Sequence, residues 1–437
     1  MNPKRTYKIG TEVKKWVTGN IVMLLFITIC AIGIYFAAQP SSYIASEIAI
    51  RLFRNLILIL SLIIPVWAGM GLNFSIVLGA MAAQAGLIVI MNFDMKGIAG
   101  LVIAFAISVP LAAGLGILTG KLFNKTKGQE MITGMILGYF AKGVYELIFM
   151  YLCGPVIPMD NPQIMLESGV GINGIITMDA SLNGAVDKIW KLPLDKLLWI
   201  IFGVLTAFLV LRLVYGGVKR KQADKKCLLL LGIDLLLFII FVYAIKSLLS
   251  FQILCMMTQV PMVTCFLVMI ICGFIVFLGR TKLGSDIKAV GQSIPIAQAA
   301  GIAVNKIRII AVVISTVIAA LGQIIYLQNL GTFTTYSAHE QIGTFSIAAL
   351  LVGGASIKKA GIGHAILGGV LFHLMFIVAP IAGKNIFNDA QIGEYFRVFA
   401  SYAVIALALV LHAWRIHVEE KRKTGALVQI GKEAEVK

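Results

Sequence analysis

The chain has 437 residues, of which 59% are hydrophobic and only 13% charged. A soluble domain runs nearer a quarter charged because water must solvate its surface, so this composition excludes an ordinary soluble enzyme. The net charge of +17 does not indicate a nucleic-acid partner, because the basic residues flank apolar runs as topology signals and form no polar face.

Apolar runs of about 20 residues, each able to cross a hydrocarbon core ~30 Å thick, recur along nearly the whole chain. No stretch between them is large enough for a soluble domain. Lipid-facing backbone must satisfy its own hydrogen bonds, so the expected fold is all-α: a single polytopic transmembrane domain over 1–437. Six cysteines lie scattered without a CxxC pair and read as small buried hydrophobes.

In chain order, Lys4, Arg5, Lys8, Lys14 and Lys15 precede the first apolar run, Trp16 to Ala38. They place the N-terminus in the cytoplasm. The run is too long for the h-region of a cleavable signal peptide and reads as a retained span. Residues 42–54, with Glu47, Arg51 and Arg54 among apolar neighbours, read as an amphipathic segment on the outer interface. A second span over 55–70 stops at the uncharged polar break Gly71-Leu72-Asn73-Phe74-Ser75, which is expected at membrane depth inside the protein. The third span, 76–92, is capped outside by Asp94 and Lys96; the fourth, 98–119, ends inside at Lys121, Lys125 and Lys127.

The fifth span, 131–153, leads to the longest polar stretch, Gly154 to Lys196. Its prolines and glycines predict an irregular extracellular loop. Spans six (197–215) and seven (227–249) enclose the densest basic cluster, Lys219, Arg220, Lys221, Lys225 and Lys226. Span eight covers 260–279, and the polar stretch 280–308 follows on the cytoplasmic side. Span nine (309–329), a Gly/Ala-rich run (341–357), span eleven (360–383) and span twelve (396–413) complete the chain, the last before Arg415, Lys421, Arg422 and Lys423. About twelve crossings with every dense basic cluster on one side give a multi-pass cell-membrane protein with both termini cytoplasmic.

Enzymatic signatures are missing. Gly114 to Leu122 fails the phosphate-loop pattern, with Leu115 in place of the first glycine and Leu122 in place of Ser/Thr. There is no HExxH, and no catalytic set, metal site or cofactor is expected. Lys142 and Glu146 lie one turn apart near the middle of span five. Such a pair either lines a solute path or neutralises itself as a structural ion pair, and both readings stay open. Asp234 in span seven reads as structural, and His364 and His373 as buried histidines with satisfied nitrogens. Asn73, Ser75 and Gln84 sit at or beside the broken junction, the kind of segment from which transporters build midplane sites.

The most informative stretch is 279–308. Ser293 is a candidate N-cap, Pro295 suits a first helical turn and Gly301 a C-terminal stop, which brackets a short helix; Ser285 is placed to cap another before it. A helix that short needs something to pack against. The pattern Thr281-x-x-Gly284, Ala289-Val290-Gly291, Pro295-x-Ala297, Ala300-Gly301-Ile302 resembles the cytoplasmic loop of permease subunits in bacterial ABC importers of the branched-chain amino acid, simple sugar and nucleoside class. Ile347-Ala348-Ala349, Gly353-Gly354-Ala355-Ser356 and Gly361-x-Gly363 are similar to that family's glycine-rich return span. Gln129-Glu130-Met131-Ile132-x-Gly134-Met135 is similar to its nucleoside-type branch. The break at Asn73-Phe74-Ser75-Ile76-Val77 departs from the family's usual junction.

The resemblance covers roughly 55–155 and 260–410 and implies a core of about ten spans, with an inserted hairpin at about 197–250. It implies that the 280–308 loop couples to a separate ATPase, with Asp286, Ala289, Gly291, Pro295, Ala297, Ala300 and Gly301 at the contact. It also implies a second permease subunit, identical or paralogous, and an extracellular or periplasmic substrate-binding protein. The solute is then small and polar, with a nucleoside or simple sugar favoured over an amino acid. The alternative is an ion-coupled secondary transporter using Lys142, Glu146 and Asp234; it calls for two halves with matching broken spans, and no internal repeat is evident.

Overall fold

In a computed structural model the described residues are 21–220, 225–407 and 410. The basic N-terminal cluster, part of the 219–226 cluster and the basic C-terminal cluster lie outside them. The described chain is overwhelmingly helical. Among the described residues six helices are long and apolar enough to cross a membrane, up to eight if each of two bent pairs counts as one span, and three shorter apolar helices accompany them.

Helix α1 is Ile21–Ala37 and α2 is Ser41–Ser61, continued after a slight break by α3, Ile63–Trp67. Residues 42–54 are therefore no separate interfacial segment, as the charge pattern had suggested; they are the first half of a continuous span. Their charges are absorbed along its flank. Arg51 Nε bonds Glu47 Oε2 at 3.0 Å, Arg54 Nη1 donates to Asn329 Oδ1 at 3.0 Å, and the Arg54 guanidinium lies over the Tyr326 ring at 5.3 Å.

After the break come α4 (Ile76–Asn92), α5 (Gly97–Lys125) and α6 (Glu130–Leu147), the last prolonged by a π turn, Ile148–Leu152. Helices α7 (Leu194–Arg220) and α8 (Lys225–Ser247) form the hairpin, and α9 (Leu249–Met257) bends 101° away from α8. The chain continues through α10 (Met262–Leu278), α11 (Lys282–Gln292), α12 (Ile294–Ala299), α13 (Val304–Leu330), α14 (Glu340–Val352) and α15 (Ile362–Phe387), and residues 390–407 are helical.

Helices α4, α5 and α13 pack most closely. In a bilayer no hydrophobic effect drives helices together, so close approach needs small residues. A Cβ on Gly79 would lie 2.4 Å from Thr316 O, and one on Gly116 2.4 Å from Thr316 Oγ1. The Thr316 hydroxyl lies 3.2 Å from Ala112 O, so it ties α13 to α5 where the glycines admit it.

Short ribbons staple the loops. Strand β1 (Ile175–Thr177) pairs with β4 (Thr332–Thr334), and β2 (Lys191–Pro193) pairs with β3 (Gln259–Pro261). The second ribbon sets Pro193 opposite Gln259, so the α7–α9 excursion leaves and re-enters the core at one point. Buried Asp187 accepts hydrogen bonds from Gln328 Nε2 (3.0 Å), Asn329 Nδ2 (2.5 Å) and the Thr264 hydroxyl. A buried carboxylate is tolerable only with such partners, and these pin the long loop to the end of α13.

Candidate functional site

The break between α3 and α4 turns through Gly69 and Gly71, both at positive φ, where a side chain would be strained. Asn73 then shapes the turn: its Oδ1 accepts from Ser75 N at 3.1 Å and from the Ser75 hydroxyl, while its Nδ2 donates to Ser315 Oγ on α13 at 3.4 Å. Asn73 and Ser75 are buried and line none of the cavities below; they hold the turn on α13. Their neighbour Phe74 lines two of the cavities, and Gly69, Met70 and Gly71 line one of them.

Gln84, buried on α4, bonds His339 through its Oε1, at 2.7 Å from His339 Nδ1. His339 sits immediately before α14, and its ring lies 5.0 Å from that of Tyr145. Lys142 Nζ is 3.6 Å from Glu146, as one helical turn allows, and it also pairs with Glu340 in the first turn of α14. The sequence reading found the pair within α6 and missed its third member. The signal was present in the dipeptide His339-Glu340, which opens the Gly/Ala-rich span.

Three cavities follow α14. One of about 480 Å³, at the end of the bundle where α13 finishes, is lined by Asn55, Tyr326, Thr332, Ser337, Gln341 and His373 among others. A middle one of about 230 Å³ contains His339, Glu340 and Lys142, and shares Gln341 with the first. The third, about 790 Å³, reaches Gly69, Gly71, Glu130 and Gly291 at the opposite end. Phe74, Met135, Tyr139, Thr344 and Tyr402 line both the second and the third. The 27 residues of α13 span about 40 Å at the rise of an α-helix, so the series extends over a membrane-scale distance.

The 280–308 stretch forms the two short helices expected of it. Thr281, and not Ser285, caps the first: its Oγ1 accepts from Gly284 N at 3.2 Å. Ser293 precedes α12 with Pro295 in its first turn, yet its side chain makes no cap bond. Gly301, at φ 77°, ends the element. Ala297 is buried, Asp286 and Ala289 are half-buried, and Pro295, Ala300 and Gly301 are exposed. Ile296, which lies between the motif positions Pro295 and Ala297, is 71% exposed. Gly291 is seated so closely that a Cβ would stand 2.0 Å from Trp67 O. The Lys288 ammonium lies 4.6 Å over the Trp67 ring, and Trp67 Nε1 donates to Ala360 O at 3.0 Å. The short helices are thereby fastened to the turn that walls the third cavity.

A second missed pair lies nearby. Arg308, 1% exposed at the start of α13, pairs with buried Glu130 and donates to Phe123 O at 3.2 Å, while Glu130 Oε2 accepts from Gly128 N at 2.9 Å. This gives the Gln129-Glu130-Met131 motif a structural role. Asp234 lines none of these three cavities and accepts from Thr206 Oγ1 at 2.5 Å across the α7–α8 hairpin. His373 lines the first cavity, and His364 Nδ1, expected to be satisfied, has no hydrogen-bond partner.

The family model of the branched-chain amino acid transport system permease component matches residues 44–409. The chain belongs to this family. Among curated proteins, the permease is 30% identical over 135 residues to the nucleoside ABC transporter permease protein NupB of Lactococcus lactis subsp. cremoris (strain MG1363). That alignment covers 30% of the permease and 34% of the relative, about a third of each. No solved structure matches the permease significantly. Membership makes it a membrane-embedded transport component, in agreement with its apolar helices.

Proposed function

We propose that this permease forms the solute pathway of an ATP-driven importer and couples to a separate ATPase through α11 and α12. The observation that carries the reading is the series of cavities with shared walls, the last lined by Gly291 of α11. The exposed face of α12, with Ile296 at its middle, is the surface offered to the ATPase. Movement of α12 would pass through Gly291 and Trp67 into the 68–75 turn, and through α13 and Arg308 to Glu130 and α6. The solute is small and polar, a nucleoside or simple sugar, and the relative's name says nucleoside of that protein. The complex includes a second permease subunit, identical or paralogous, and an extracellular or periplasmic binding protein. Twelve crossings with both termini cytoplasmic would put α12 on the ATPase side, with an inserted hairpin at about 197–250 added to a ten-span core.

Co-expression with the ATPase and binding protein tests this. Ile296→Glu leaves a folded, membrane-inserted permease, because the side chain is exposed, but abolishes ATPase co-purification and uptake. Unchanged co-purification and uptake would remove the coupling role from α12. Uptake collapsed by a protonophore while ATP stays high would favour the ion-coupled alternative.

A further inference from the structure

The first two cavities supply hydrogen-bonding groups but little available positive charge, while Lys358 lines the third. The first has neutral polar walls, including Asn55, Tyr326, Thr332 and Gln341, and no charged residue among the described ones lines it. The middle cavity holds one ammonium, Lys142, and that ammonium is shared by two carboxylates, Glu146 and Glu340. The cluster has a formal charge of −1. Glu340 also occupies the first turn of α14, offsetting the positive end of that helix's dipole. A solute carboxylate or phosphate arriving here meets a net negative charge, and among the described lining residues of these two cavities it finds no cation without a partner.

A second, independent feature points to what the cavity accepts. His339 lines it and is fully buried, and its Nε2 has no hydrogen-bond partner, nor has the Nε2 of Gln84. With Gln84 Oε1 accepting from Nδ1, a neutral His339 presents Nε2 as an acceptor, while Gln84 itself lines none of the three cavities and holds the ring from behind. Buried polar groups left unpaired in a native protein call for an explanation, and a visiting hydrogen-bonding solute supplies one. Phe74, Tyr139 and Tyr402 add aromatic walls suited to a ring.

We infer that Lys142, Glu146 and Glu340 form an anion-excluding selectivity element that commits the pathway to uncharged, hydrogen-bonding solutes. Nucleosides and simple sugars pass; amino acids, whose carboxylate would lack a partner, and phosphorylated solutes do not. The inference rests on the permease reading above and goes beyond it by assigning solute charge class to named side chains.

The field is measured directly by placing a cysteine at Thr344, which lines the middle cavity and its neighbour, and comparing modification by cationic and anionic thiosulfonates. Rates are taken against the parent with its native cysteines. The cationic reagent reacts faster in the parent background. Glu340→Gln lowers the cation-to-anion rate ratio about tenfold, the effect of one unit charge at close range, and adding Glu146→Gln reverses the preference. Met135→Cys, on α6, repeats the measurement at a second wall position. An anionic preference in the parent background, or a ratio unmoved by Glu340→Gln at both positions, overturns the proposal. In the reconstituted complex, ATP-driven uptake of uridine or ribose without leucine or uridine monophosphate is expected. ATP-driven leucine uptake would overturn anion exclusion alone. Absence of ATP-driven uptake of every solute would overturn the permease reading, while the reagent rates still decide the charge claim.

Discussion

Helices α13 and α7 pass the same test of length and apolarity, yet 61% of the apolar window of α13 is buried inside the protein against 6% for α7. Along α13 the apolar run is interrupted by Ser315, Thr316, Gln323 and Gln328, all buried. Along α7 exposed aliphatic and aromatic residues such as Trp199, Ile200, Val204 and Leu211 dominate. A helix packed among helices must recruit small and polar groups for close contact, because lipid is as apolar as leucine. A helix facing outward need only be apolar. Burial in this molecule is therefore marked by interspersed polarity, and hydropathy by itself ranks the two helices in the wrong order.

The largest expected effect breaks the buried ion pair beside α13. Arg308→Met leaves Glu130 charged and alone, costing about 3–5 kcal/mol, and combining it with Glu130→Gln restores most of the loss; melting of the detergent-solubilised protein reads both. A smaller effect comes from the glycines. Gly79→Ala forces a methyl toward Thr316 O and costs about 1–3 kcal/mol, whereas Gly203→Ala on α7, with nothing within 4 Å of the added carbon, is neutral or stabilising by up to about 1 kcal/mol. Equal melting temperatures for these two variants would contradict the division into core and periphery. The smallest is Asp234→Asn in the hairpin, about 1 kcal/mol, since one hydrogen bond from Thr206 is exchanged for a neutral one. A loss as large as that of Arg308→Met would make the hairpin part of the core.

Much of this was legible before any coordinates. The apolar runs place most helices within a few residues, the break at 71–75 falls where the chain turns, and the pattern from Thr281 to Gly301 marks both short helices. The Lys142–Glu146 pair follows from i,i+4 spacing. Glu340 and His339 did not, because they reach α6 and α4 from the start of a helix far along the chain, His339 lying 255 residues from Gln84. Asn73 and Ser75 look like site residues in isolation, but their hydrogen bonds are spent on the turn and on Ser315. The fusion of 42–54 with the following span depends on Asn329 and Tyr326, which no local pattern connects to Arg54.

The sequence by itself determined an all-helical, membrane-embedded transport component, because a chain this apolar must satisfy its backbone internally and a thirty-residue loop motif is a local property. Only the tertiary structure decided which polar groups face a cavity, which charges cancel and which helix is core. Those outcomes depend on contacts between distant segments, and near-uniform hydropathy carries no record of which apolar face meets lipid and which meets another helix.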